Sequence, residues 1–130
     1  TEAHSPPNVL WFGNPATGDY DNGTEISVGS ATASVKLANG ATKLQFWLYQ
    51  DTETSEKYDQ FTVRVNGQSV LQPSSSASFQ AAQWQPWTVD LSKYANTTIA
   101  LEFKFDSVDA VDNKTLGVLI DDVQVVGTCP

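Results

Sequence analysis

A chain of 130 residues, 40% of them apolar and 11% aromatic, is long enough to bury one core and too apolar to be a disordered tail. Its 15 acidic residues against 7 basic ones give a net charge of -8, which excludes a cationic surface for nucleic acid or an anionic membrane. No run approaches the roughly 20 apolar residues of a membrane span, and charged residues are only 17%, with Ser, Thr, Asn and Gln in their place, as in many extracellular β proteins.

Residues 1–8 read as a linker or irregular arm, since Pro6-Pro7 cannot donate to a ladder. The opening is not a signal peptide; an exported protein would carry one upstream. The domain is expected over residues 9–127, with 128–130 as a tail. Weak strand signals lie at Val9 to Phe12, Glu25 to Val28 and Ala31 to Leu37, and Asn39-Gly40 marks a turn. The clearest strand is Leu44 to Tyr49. Period-two alternation puts Leu44, Phe46 and Leu48 on one face and Gln45, Trp47 and Tyr49 on the other.

Phe61 to Val65 follows, with Phe61, Val63 and Val65 inward, and ends at the hairpin-type pair Asn66-Gly67. Pro73 to Ser78 is polar and low in complexity, the pattern of a mobile surface loop. Trp87, Val89 and Leu91 form the inward side of the next strand. In Ile99 to Phe105 the residues Ile99, Leu101, Phe103 and Phe105 share a face, with Glu102 and Lys104 pointing away. Val118 to Val126 is the last strand. No amphipathic helix is found. Short strands separated by Gly, Asn, Asp and Pro signals need two layers to bury their apolar faces. The expected fold is therefore all-β, a two-layer antiparallel β-sandwich; spacing alone does not fix its topology, for which a jelly-roll-like order is preferred.

Catalytic chemistry has little to work with. The only histidine, His4, lies in the arm and reads as a solvated linker residue; one His and one terminal Cys make neither a nucleophilic site nor a zinc site. Cys129 is either a free thiol or the partner of a cysteine outside this chain. No phosphate loop is present, and no enzyme is expected.

Calcium is a better match, because hard cations want oxygen ligands. Acidic stretches supply them: Asp19 and Asp21; Asp51, Glu53, Glu56 and Asp59; Asp106, Asp109, Asp112 and Asn113. Asp121-Asp122 adds a pair inside the last strand. Alternation with Leu119, Val123 and Val125 turns Asp121 toward the core, where a carboxylate needs a cation or several donors.

A binding face is the other candidate. Trp47 and Tyr49 oppose the apolar stripe of their strand, and Arg64, Glu102 and Lys104 hold the equivalent positions of theirs. Aromatic planes beside polar side chains suit sugar rings, and also protein interfaces. The competing expectation is that a loop or the N-terminal arm covers Trp47. Trp11, Trp84 and Trp87 read as core or lid residues.

One ordered set of segments resembles a family of β-sandwich modules in secreted bacterial proteins. It runs through Trp11 to Gly23, Leu44 to Tyr49, Glu53 with Tyr58-Asp59, Val89 to Tyr94, Phe105 to Asp109, Asn113, and Gly117 to Val123. The closing Ile120-Asp121-Asp122-Val123 is shared in looser form by MAM-like domains and several jelly-roll carbohydrate-binding modules. The resemblance implies an accessory domain of an exported enzyme, with a structural Ca2+ near the sheet edge. By position it assigns Asp121 or Asp122 to the ion, with Glu53, Asp59, Asp109 and Asn113 at further motif positions. The expected function is a secreted, monomeric, calcium-stabilised module that binds a polysaccharide or glycan. The alternative is a structural or protein-interaction domain that docks on the parent enzyme's catalytic domain.

Overall fold

The computed structural model describes residues 4, 10–12, 28–40, 42–52, 60–106 and 117–127. Eight strands form: β1 (Leu10–Phe12), β2 (Val28–Lys36), β3 (Thr42–Asp51), β4 (Gln60–Val65), β5 (Gln68–Leu71), β6 (Trp84–Asp90), β7 (Thr98–Asp106) and β8 (Gly117–Gly127). They pair antiparallel into two four-stranded sheets, ordered β1-β8-β3-β6 and β2-β7-β4-β5. The two layers are those the alternation of the sequence predicts, and the strand order, which spacing alone does not fix, is that of a jelly roll. Among the described residues the only helical turns are two three-residue 3-10 pieces, and no helix is long and apolar enough to cross a membrane.

The inward faces follow the period-two pattern. Leu44, Phe46 and Leu48 meet Phe61, Val63 and Val65 and the row Ile99, Leu101, Phe103 and Phe105, all at most 7% exposed. Val118 and Ile120 close the first sheet. Aromatic rings fill the centre: Phe61 stacks on Phe103 at 6.3 Å and 7°, and Phe46 meets both edge-on at 72°. Such pairs add to the burial itself, about 0.5–1.5 kcal/mol each.

Several expectations are revised. Ala31 to Lys36 belongs to one strand that begins at Val28, and Leu37 follows its end; residues 25–27 lie outside the described ones. β5 has no counterpart among the strands that the sequence predicts. It is the return arm of the hairpin whose turn residues Asn66 and Gly67 sit at φ 52° and 82°, the left-handed pair that matches strand twist. Asn66 fastens this turn to β7, its amide donating to the Ala100 carbonyl and its Oδ1 accepting the Ala100 amide, both at 2.9 Å. The Pro73 to Ser78 stretch is not simply a surface loop, because Pro73–Ser75 forms a 3-10 turn that buries Pro73.

The sandwich is not sealed all round. Leu10, Ala31, Ala33, Val35, Val123 and Val125 help line an apolar groove of about 270 Å3 where β8 faces β2. Val123 and Val125 are 46% and 38% exposed there, although they continue the inward side of β8.

Candidate functional site

β3 lies in the middle of its sheet, so its outward residues sit on a supported floor. Tyr49 is directly opposite Trp84 of β6 on one side and Leu119 of β8 on the other, and Leu119 is in turn opposite Trp11 of β1. The outer face thus carries a row Trp11, Leu119, Tyr49, Trp84. The next row is Asp121, Trp47, Pro86. Tyr49 and Trp84 are in ring contact, 5.8 Å apart and tilted by 56°.

Of the tryptophans expected in the core or as lids, Trp87 fits, packing against the core cluster from its place opposite Phe46. Trp11 and Trp84 do not: both belong to the outer row. The signal was present. Extending the alternation back from inward Phe12 and Trp87 turns Trp11 and Trp84 outward, but Pro86 hides that continuity.

Asp121 also points outward, beside Trp47, and not toward the core. The cause is a β-bulge. Gln45 pairs with Gln124 and Trp47 with Asp121, so Asp122 and Val123 together face the single residue Phe46. Asp122 takes φ 52°, a left-handed conformation that Asp tolerates better than most residues. Its amide donates to Asp121 Oδ1 at 2.8 Å. The extra residue reverses the parity of the strand, so inward Val123 and Val125 do not make Asp121 inward.

His4 is not a solvated linker residue. Its ring lies nearly parallel to Trp47, with centroids 3.9 Å apart and planes at 17°, and it is tilted against Trp84 at 5.7 Å. His4 Nδ1 is 2.6 Å from Asp122 Oδ2, and the two side chains are 29% and 35% exposed. Since a carboxylate only accepts, Nδ1 carries the hydrogen in this contact. Beside the stack is a recess of about 180 Å3, bordered by Gln45, Trp47, Pro86, Thr88, Asp122 and Gln124. There Gln124 Nε2 donates to Gln45 Oε1 at 3.2 Å.

The structure separates the other expected contact residues from Trp47 and Tyr49. Arg64, Glu102 and Lys104 lie on the outer face of the second sheet, across the whole thickness of the sandwich. Two sheets packed about 10 Å apart keep these groups from serving one small ligand. Arg64 is also occupied: its Nη2 donates to the Gly67 carbonyl at 2.7 Å and its Nε is 3.8 Å from Glu102 Oε1. Arg64 and Lys104 border a separate polar recess of about 290 Å3 with Gln60, Thr62 and Asp106.

Of the expected calcium ligands, Glu53, Asp59, Asp109 and Asn113 lie outside the described residues. Among the described residues no group of three or more His, Cys, Asp or Glu side chains could hold a metal ion. Asp121 and Asp122 alone fall short of the about six to eight oxygens that calcium takes, and Asp122 already meets His4.

No protein-family model matches the sequence, and no curated protein matches it either. Among solved structures, the C-terminal domain of EclA, a sugar-binding protein, aligns with a TM-score of 0.44 and 12% identity over 82% of this chain and 80% of that one. A family 35 carbohydrate binding module from an environmental isolate aligns with a TM-score of 0.45 and 17% identity over 100% of this chain and 91% of that one. Identities this low say nothing about a ligand.

Proposed function

We propose that the chain is a non-catalytic, secreted carbohydrate-binding module that meets its polysaccharide on the outer face of the first sheet, at Trp47, Tyr49 and Trp84. The observation that carries this reading is the ring already lying flat on Trp47, at 3.9 Å and 17°. A plane that accepts one ring face-on has the geometry for a sugar, whose C–H face is apolar and whose edge is polar. The recess beside it supplies polar groups from Gln45, Thr88 and Gln124 for that edge.

The reading includes a structural calcium held by the acidic stretches around Glu53, Asp59, Asp109 and Asn113, supported by the carboxylate-rich sequence there. It also includes a parent enzyme that the module keeps near its substrate. The test is affinity electrophoresis against a panel of soluble polysaccharides, with Trp47→Ala beside the unaltered protein. Retardation by at least one glycan that Trp47→Ala abolishes supports the platform; retardation unchanged by that substitution removes it.

A second reading, a protein-interaction domain that docks on its parent enzyme, is favoured by the apolar groove between β2 and β8. Exposed Leu10, Val123 and Val125 border it at 38%, 46% and 38%. Under that reading glycans leave the protein unretarded and Val123→Asp weakens binding to the catalytic domain.

A further inference from the structure

The residue stacked on Trp47 also shows what chemistry the platform selects. His4 offers it three things at once: a flat face to Trp47, a tilted ring contact to Trp84, and an N–H to Asp122. A ring that replaces His4 meets the same three groups. The backbone of Asp122 is held there by the bulge, with its amide tied to Asp121, so the carboxylate projects from a fixed point beside Trp47.

On the strands of this face the described charges are mostly acidic. β8 contributes Asp121 and Asp122, and β6 contributes Asp90 further along the same face. β3 contributes Lys43, which stands opposite Asp90, two rows from Trp47. Among the described residues no other cation sits on the strands of this face. A carboxylate in such surroundings favours a cationic donor, since charge-assisted hydrogen bonds are about twice as strong as neutral ones. It disfavours a uronate for the same reason, and the net charge of -8 adds to that repulsion.

We propose that the Trp47 platform takes a cationic amino sugar, a 2-amino-2-deoxyhexose unit of a polysaccharide, with its ring on Trp47 and its ammonium on Asp122, and that His4 is the internal occupant it displaces. This rests on the carbohydrate-binding reading above and names the sugar class. Binding forms and breaks no covalent bond. His4 acts as a competitor covalently attached to the site, and its departure is part of the binding equilibrium.

The experiment is calorimetric titration of the whole chain and of His4→Ala, Asp122→Asn and Trp47→Ala. The probes are a fully deacetylated glucosamine oligomer, its N-acetylated counterpart, a glucose oligomer and a galacturonate oligomer. Asn tolerates the left-handed backbone of the bulge, and a thermal melt of each variant checks that it folds.

The expected result is at least tenfold tighter binding of the deacetylated oligomer than of the acetylated one. That preference should fall to about one in Asp122→Asn, and His4→Ala should bind the deacetylated oligomer about threefold or more tighter. In the NMR spectrum the His4 ring protons, shielded by Trp47, should move to free-histidine positions as the glucosamine oligomer is added. Equal affinity for all the neutral and cationic probes, with Trp47→Ala still abolishing it, overturns the amino-sugar assignment and leaves the platform standing. No binding of any probe, in His4→Ala as well, overturns both. An affinity unchanged in His4→Ala, with unshifted ring protons, overturns the displacement of His4.

Discussion

Phe46 and Trp47 are neighbours in β3 that point to opposite sides of one sheet, so cutting each back to alanine should damage different properties. Phe46 is 1% exposed and lies edge-on to Phe61 and Phe103. Its truncation leaves a ring-sized hole in a centre that cannot collapse, and such changes cost about 3–5 kcal/mol. At about 3–5 °C per kcal/mol for a domain of this size, the melting midpoint should fall by roughly 10–25 °C. Trp47 loses chiefly its stack with His4, which contributes about 0.5–1.5 kcal/mol, so Trp47→Ala should lower the midpoint by no more than about 8 °C. Urea unfolding of both variants, followed by circular dichroism, measures the two losses, and an unchanged slope confirms that each acts on the folded state. Equal losses would refute the reasoning. They would mean that Trp47 is a core residue and that β3 is shifted by one position, which carries every side chain to the other face.

Three further outcomes are expected. Gly67 has φ 82° with nothing within 4 Å of an added Cβ, so Gly67→Ala should cost about 1–2 kcal/mol through the backbone alone, and Gly67→Asn less; equal stability of all three in urea would argue against a left-handed turn. The Asp90 carboxyl is held below its ordinary value by the Ser92 hydroxyl, the Ser92 amide and, last, the Lys43 charge. Because the folded value is the lower one, this contribution is complete above the unfolded value and is lost as the pH falls through the folded one. In Ser92→Ala the Asp90 titration, followed by NMR, should move upward; an unmoved curve counts against the hydroxyl. The proposed calcium should raise the thermal midpoint by binding the folded state, so a chelator should lower it, and identical midpoints with and without chelator would remove the ion from the account.

The inward half of the sandwich is legible in the sequence because every second residue of β4, of β7 and of residues 44–48 at the centre of β3 is apolar, and a two-sided sheet admits no other period. β5 escapes that rule. With Gln68 and Ser69 ahead of Val70 and Leu71 it has no alternating stripe, and only the left-handed turn before it commits the chain to return. The outer face is legible only in part. Trp47 and Tyr49 follow from parity, whereas grouping them with Arg64, Glu102 and Lys104 assumed that outward residues share a surface. Parity tells inside from outside but not which of two sheets a strand joins. The bulge at Asp122 carries no period of its own, so the orientation of Asp121 was lost there. The contact between His4 and Asp122 joins residues far apart in the chain and has no local signature at all.

The strand order also governs when this protein can acquire its shape during synthesis. β1 and β3 do not touch in the first sheet; β8 lies between them and joins both. A nascent chain that has reached Asp106 therefore exposes one whole edge of β3, and the stretch Gly117–Gly127 must leave the ribosome before that sheet exists. Folding is then dominated by pairings between distant parts of the chain, which places it on the millisecond-to-second scale. Until it finishes, open strand edges invite association with other chains.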